Sequence, residues 1–285
     1  MRNKEVKIGG LSEAGDFDEI NQDSIFYKFL KINQHNVGLF IVADGMGGLS
    51  HGEEISNLIV DYFNRWWTEI LCPFVKSDGF SFNTLYEMMD TVIIEVNKKA
   101  IKFSEQSGAK SGSTLSLLLV IDNRYLIKNI GDSRIYLVRK GKKTQLTEDQ
   151  TLVSQMVKNK QITKEQAKYH EKRNLLTMCL GVTENIEVFS SEGKVRNGDI
   201  FLVCSDGFYN YANDKEVVPI IRNRDYNDFN QKAGLLRSTI PVGEARDNVS
   251  IIIAELWNKK ESIITFLSTF IILIFVFGIF FLWRF

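Results

Sequence analysis

From Ile263 to Trp283, 21 consecutive residues carry no charge: IITFLSTFIILIFVFGIFFLW. At about 1.5 Å of rise per residue, a helix of that length spans about 31 Å, the hydrocarbon thickness of a bilayer. A helix buried in a globular core would be shorter and would show a polar stripe, and this run has neither feature. The expectation is one C-terminal transmembrane helix over 263–283. The run follows the bulk of the chain, so it does not read as a signal peptide, and it lacks the small-residue site and polar spacer of a lipid-anchor signal. Lys259 and Lys260 precede it and only Arg284 follows among basic residues, a bias that places residues 1–258 in the cytoplasm. Cys72, Cys179 and Cys204 stand far apart with no CxxC pair, as suits a reducing compartment. The expected setting is the cell membrane, crossed once, with the lipid bilayer as a partner and the preceding domain cytoplasmic.

Composition narrows what that domain does. In the 285 residues, 35 Lys and Arg balance 35 Asp and Glu, and the missing basic excess argues against a nucleic-acid binder. Three scattered histidines and three separate cysteines encode neither a zinc cluster nor a His-rich metal motif. No Pro- or Ser-rich linker and no repeat divides residues 1–258, so they are read as a single domain, expected to be a monomer.

Short apolar runs recur along it: Gly38–Ala43, Thr114–Ile121, Tyr125–Ile130, Ser133–Arg139, Ile200–Cys204 and Ser250–Leu256. Asp122-Asn123-Arg124 between two of them reads as a tight hairpin, which favours antiparallel pairing. Two amphipathic helices interrupt the strands. Ile55, Leu58, Ile59, Tyr62, Phe63 and Trp66 form the apolar stripe of one, and Leu85, Met88, Met89, Val92, Ile93 and Val96 that of the other. These stripes are core material for helices lying on a sheet. Residues 147–174 are polar and helical in tendency, with Thr163 to Gln166 spaced as a capping box, and are read as a surface flap.

Acids collect where strands end. Val42-Ala43-Asp44-Gly45-Met46-Gly47-Gly48 joins an apolar strand to a glycine-rich turn, and Val203-Cys204-Ser205-Asp206-Gly207 repeats the strand-then-Asp-Gly pattern. Arg246-Asp247-Asn248 precedes a strand, Ile130-Gly131-Asp132-Ser133-Arg134 sits between two, and Asn21-Gln22-Asp23 opens another. One Asp-Gly after a strand is ordinarily a turn. Several around one sheet edge, without His or Cys, make a set of hard oxygen ligands suited to Mg²⁺ or Mn²⁺. Such ions lower the pKa of bound water and neutralise a phosphoryl group under attack.

The order NQD, VADGMGG, GSTL, IGDSR, SDG, DNVS, from Asn21 to Ser250, resembles the metal-dependent protein phosphatases of the PPM family, the type 2C serine/threonine phosphatases. The resemblance implies an α+β fold, a four-layer αββα sandwich of two antiparallel sheets. It implies two Mn²⁺ or Mg²⁺ ions: Asp44 bridging both, the Gly45 carbonyl on the second, Asp206 and Asp247 on the first, and Asp23 beside the second through a water. Asp132, with Asp206, would contribute to a third and weaker site. A water bridging the ions would attack phosphorus in line, with no phospho-enzyme. The absence of a Cys-x5-Arg loop and of an aspartyl-phosphate motif accords with that. Phosphorylated proteins would be the substrates and a membrane Ser/Thr kinase a partner.

Four positions depart from the family's usual pattern. Asp18 stands where relatives often have a phosphate-clamping Arg, Gln22 replaces a Glu, Met46 occupies a place some relatives give to His, and Asn210 stands where many have a further acid. The first reading is a membrane-tethered phosphoserine/phosphothreonine phosphatase. The alternatives are a catalytically weak binding or sensing module of the same fold, and a two-metal phosphoesterase acting on nucleotides or lipids.

Overall fold

The structure is a computed structural model that describes residues 6–47, 51–108 and 110–256. Among these described residues, eleven strands form two antiparallel sheets. The first takes the order β1 (Lys7–Glu13), β11 (Val249–Leu256), β10 (Asp199–Cys204), β7 (Arg134–Arg139), β8 (Lys142–Gln145). The second takes the order β2 (Asp23–Ile32), β3 (His35–Gly47), β5 (Leu115–Ile121), β6 (Arg124–Ile130), β9 (Phe189–Lys194), with β4 (Ser111–Ser113) paired to the end of β3. The expected hairpin closes at Asp122-Asn123, where Asp122 adopts φ 54°.

The apolar runs are continuous because both faces of each sheet are covered. Leu39, Ile41, Leu117 and Leu119 of the second sheet pack under helices α1 (Gly52–Trp66) and α3 (Phe82–Ser107), against Ile55, Ile59, Phe63, Met89 and Ile93. Their neighbours Phe40, Val42, Leu118 and Val120 point the other way, into a core shared with Phe201, Val203 and Ile252 of the first sheet. The opposite face of that sheet, with Leu202, Cys204, Ile251 and Ile253, is covered by α7 (Asp214–Arg222) and α8 (Phe229–Arg237). The period-2 pattern thus survives as a division between two cores rather than as an alternation of apolar and polar residues. Both helical stripes read from the sequence face sheet as expected; α1 continues through a π-helical turn at Trp67–Leu71 into α2 (Cys72–Lys76).

Within the polar stretch 147–174, α4 (Leu152–Lys158) and α5 (Lys164–Lys168) form, and Thr163 and Gln166 make the reciprocal capping box. A short α6 (Asp206–Tyr209) follows β10 directly. One local expectation needs correction: Asp44 does not end its strand. β3 runs on through Gly47 because Gly45, Met46 and Gly47 pair with Ser113, Gly112 and Ser111. Among the described residues no helix is long and apolar enough to cross a membrane; the Ile263–Trp283 run expected to do so lies outside them.

Candidate active site

All five acids singled out by their strand-end positions arrive at one end of the sandwich. Asp23 opens β2 and lies directly across the ladder from Asp44 in β3. Asp206 is the first residue of α6, two past the end of β10, and Asp247 lies two before β11. Asp132 occupies the turn between β6 and β7, whose first residue Arg134 pairs with Cys204. Antiparallel order produces this convergence: β2, β7 and β11 start, and β3, β6 and β10 finish, at the same edge.

The backbone there leaves no room for ordinary residues at two glycines. A Cβ on Gly45 would stand 2.2 Å from the Gly52 carbonyl oxygen and 2.5 Å from that of Gln22. The Gly45 N–H donates to the Gln22 carbonyl at 3.1 Å, locking the start of β2 to the site. A Cβ on Gly207 would stand 2.2 Å from the Asn248 carbonyl oxygen. Glycine is therefore required at both positions for close backbone approach.

Asn248 is the residue that the sequence reading passed over. Its Oδ1 accepts from the Gln22 N–H at 2.7 Å, while its Nδ2 donates to Asp18 Oδ2 at 3.1 Å and to the Ile20 carbonyl at 3.3 Å. One buried amide thus ties the 18–22 loop to the head of β11. Asn21 adds a second tie, donating to Ser12 Oγ at 2.8 Å and accepting from the Asp23 N–H at 3.1 Å. A buried Asn with both ends satisfied holds its loop in one register; the only hint in the sequence was its place after Asp247. Asp18, at the position where a clamping Arg was the family expectation, is thereby an acceptor in this brace.

A second network surrounds Asp132. The Tyr209 hydroxyl lies by its carboxylate and lowers its proton affinity, and the Arg134 guanidinium stacks 3.5 Å from the centre of the Tyr209 ring. Arg134 also forks Asp149, with Nε 3.0 Å from Oδ1 and Nη2 2.6 Å from Oδ2. Asp149 lies at the root of the 147–174 stretch, and next to it Gln150 Oε1 accepts from the Gly131 N–H at 2.8 Å. The turn carrying Asp132 and the base of that stretch are consequently one hydrogen-bonded unit. Asn210 Nδ2 donates to Asp206 Oδ2 at 3.1 Å, so the position where an acid is common serves here as a donor.

These carboxylates share a basin of unfavourable charge. Burial pushes Asp44 well above the usual carboxylate range, and Asp23, Asp206, Asp132 and Asp247 push it further. Asp206 is raised in the same way, by burial first and then by Asp132, Asp247 and Asp23. Burial takes Asp23 up to about 7, with the nearby Ser250 and Ser205 hydroxyls pulling it down and Asp247 and Asp18 raising it. Asp132 also rises to about 7, through burial and Asp149, with Arg134 and Tyr209 pulling it down. Asp247 is raised by burial too. Two buried carboxylate oxygens, Asp23 Oδ2 and Asp206 Oδ1, have no hydrogen-bond partner among the described residues.

Such atoms are costly unless a cation meets them, and a donor set of carboxylate and carbonyl oxygen alone fits Mg²⁺ or Mn²⁺. Among the described residues no three of these side chains already stand as a closed ligand cluster, so the fit rests on the orphaned oxygens and the hard donors rather than on a preformed cage.

Stacked antiparallel sheets carrying an all-carboxylate basin at one end match the build of phosphatases that work through divalent cations. Residues 16–239 match the protein phosphatase 2C family. The chain belongs to that family, and it is a protein serine/threonine phosphatase. It is 29% identical over 225 residues to the serine/threonine phosphatase stp of Listeria monocytogenes, covering 78% of this chain and 86% of that one. A Streptococcus agalactiae serine/threonine phosphatase structure superposes with a TM-score of 0.78 at 26% identity, over 88% of this chain and 100% of the other. The catalytic domain of the phosphatase PstP, solved with two manganese ions, superposes at 0.71 and 26% identity, over 88% and 98%.

Proposed function

We propose that the chain is a membrane-anchored protein phosphatase that removes phosphate from phosphoserine and phosphothreonine with a dinuclear Mn²⁺ or Mg²⁺ centre. The observation that carries this reading is the pair of partnerless buried carboxylate oxygens, on Asp23 and Asp206, within a basin of five acids. Asp44, the Gly45 carbonyl, Asp206 and Asp247 would hold the two ions, Asp23 would orient a water beside them, and Asp132 would serve a weaker third position. When bound, the ions supply positive charge against the phosphoryl group and acidify a water for attack.

The chain's own groups do the rest. Asn248 and Asn21 hold the 18–22 loop at the rim, and Gly45 and Gly207 admit the close backbone packing that brings the acids together. Arg134 and Tyr209 keep the proton affinity of Asp132 from climbing further. The thiols are unsuited to nucleophilic attack: burial pushes Cys204 up to about 12 and Cys179 up to about 11. A membrane position for this activity rests on the uncharged run Ile263–Trp283, with residues 1–258 on the cytoplasmic side and a membrane Ser/Thr kinase as a partner. The test is metal-dependent release of phosphate from phosphoserine and phosphothreonine peptides by the full chain in detergent. Hydrolysis that persists in chelator, or tight Mn²⁺ binding without hydrolysis, overturns it; the second outcome would favour a sensing module, the reading to which the anionic Asp18 at the rim lends weight.

A further inference from the structure

The catalytic basin and the last residue of β11 lie at opposite poles of the sandwich. β11 starts at Val249, beside Glu13, and ends at Leu256, which pairs with Asp199 at the far end of β10. At about 3.4 Å per residue, the seven steps from Val249 to Leu256 carry the chain about 24 Å away from the acids. The far pole is built from the turns at Asn33-Gln34, Asp122-Asn123 and Lys140-Gly141 and from the connection between β9 and β10. It is basic. Lys31, Lys140, Lys142, Lys194 and Arg196 are exposed there, and among the described residues none of them is in an ion pair. Of the acids at this pole, Asp122 pairs with His35, Glu192 with Arg124 and Asp199 with Arg139, which leaves Asp78 beside the Asn33-Gln34 turn and Glu255 opposite Lys7 as the counterweight to those five cations.

From Leu256 the chain has six residues, 257–262, before the uncharged run begins. Six residues reach at most about 20 Å. A compact domain of about 250 residues has a radius of gyration of about 18 Å, hence poles about 45 Å apart. A roughly spherical body of that size resting on the bilayer has its centre about 22 Å above it; with Leu256 held within about 20 Å, and hence below the centre, the acids on the other side of the centre stay about 22 Å or more from the bilayer. At that distance the basic pole, and not the acid basin, lies within reach of the field of anionic headgroups.

We infer that the anchored enzyme stands on its basic pole and cannot reach phosphate esters at its own membrane surface. Its substrates are phosphoresidues that protrude about 20 Å or more from the bilayer, which excludes lipid headgroup phosphates and phosphoresidues adjoining a membrane span. This deduction rests on the anchored-phosphatase reading above.

The experiment places the full chain in phosphatidylcholine–phosphatidylserine vesicles with a lipid-linked phosphoserine peptide in the same membrane. Polyproline spacers of about 3 or about 12 residues hold the phosphate about 10 or about 37 Å from the lipid. The long spacer should be hydrolysed at least about tenfold faster, since a tether that cannot span gives almost no effective concentration. Phosphatidic acid in the same vesicles should survive. Inserting about 20 Gly and Ser residues between Asn258 and Lys259 lengthens the maximum reach to about 90 Å and should abolish the difference between spacers. Equal rates for both spacers with the native linker, or a spacer preference that the insertion leaves intact, overturn the inference alone. Failure of the full chain to float with the vesicles removes the anchored reading and the inference with it. Loss of hydrolysis of every peptide, soluble ones included, removes the phosphatase reading instead.

Discussion

The two poles of the sandwich are made of the same kind of parts, turns between antiparallel strands, yet they treat charge in opposite ways. At the far pole, charged side chains follow ordinary rules: Asp199 is buried but forked by Arg139, with Nε 2.8 Å from Oδ1 and Nη2 2.6 Å from Oδ2, and the unpaired cations are solvated. At the catalytic pole, five acids face one another and two of their oxygens are orphaned. A buried carboxylate with a partner is tolerable, and several without one are a standing cost that only a ligand relieves. The difference separates charge kept for the fold from charge kept for chemistry.

The sharpest way to break that contrast is to neutralise its centre. Asp44→Asn should lower Mn²⁺-dependent hydrolysis of a phosphopeptide by at least about 100-fold, because the lost charge stabilisation is several kcal/mol. The same variant, measured in chelator, should melt at a higher temperature than the wild type, since one buried like charge is gone. A variant that loses activity and stability together would mean that Asp44 is structural. Asp199→Asn at the other pole should do the reverse, leaving catalysis intact and costing about 1–3 kcal/mol by stranding the buried end of the Arg139 pair.

A second measurement uses pH. The folded state holds Asp23 and Asp132 near 7, above the about 3.9 of an unfolded Asp, so it binds more protons than the unfolded chain. Stability in chelator is then fully present below about pH 4 as far as these groups are concerned, and is lost as pH rises toward 7. Melting temperature in chelator should fall between pH 5 and 7.5, and the gain on adding Mn²⁺ should be greater at pH 7.5 than at pH 5.5. A flat profile would show that the acids are not coupled in the folded protein.

Smaller effects should follow at the rim. Asn248→Ala removes the brace of the 18–22 loop and leaves the Gln22 N–H without its acceptor, at a cost of about 1–3 kcal/mol; kcat/KM should drop about tenfold with metal affinity less affected. Asp18→Asn preserves an acceptor for Asn248 while removing a negative charge from the approach to the basin. The KM for an anionic phosphopeptide should fall a few-fold, and more at low salt than at high salt. An unchanged KM would place the phosphate beyond the reach of Asp18.

Much of this was legible without coordinates. The hairpin at Asp122-Asn123, the helices stripped along Ile55–Trp66 and Leu85–Val96, the Thr163 capping box and all five acids could be named from local pattern, because turn chemistry and helical period are properties of neighbouring residues. β8 and β9 were not readable: KKTQ and FSSEGK are polar edge strands held by their partners, not by any alternation of their own. Nor was the continuation of β3 past Asp44, which depends on Ser111–Ser113 arriving beside it.

By itself, the sequence determined which side chains are available for chemistry: hard carboxylates beside glycines, no reactive thiol loop, and an uncharged run long enough for a bilayer. These follow from residue type and spacing over a few positions. Tertiary structure alone decided that strands distant in sequence end at a common edge. It brought Asn248 under residues more than two hundred positions away and set the exit of β11 at the pole opposite the acids. Such facts belong to strand order and direction, which arise from long-range pairing and the burial of both sheet faces, and no window of neighbouring residues contains them.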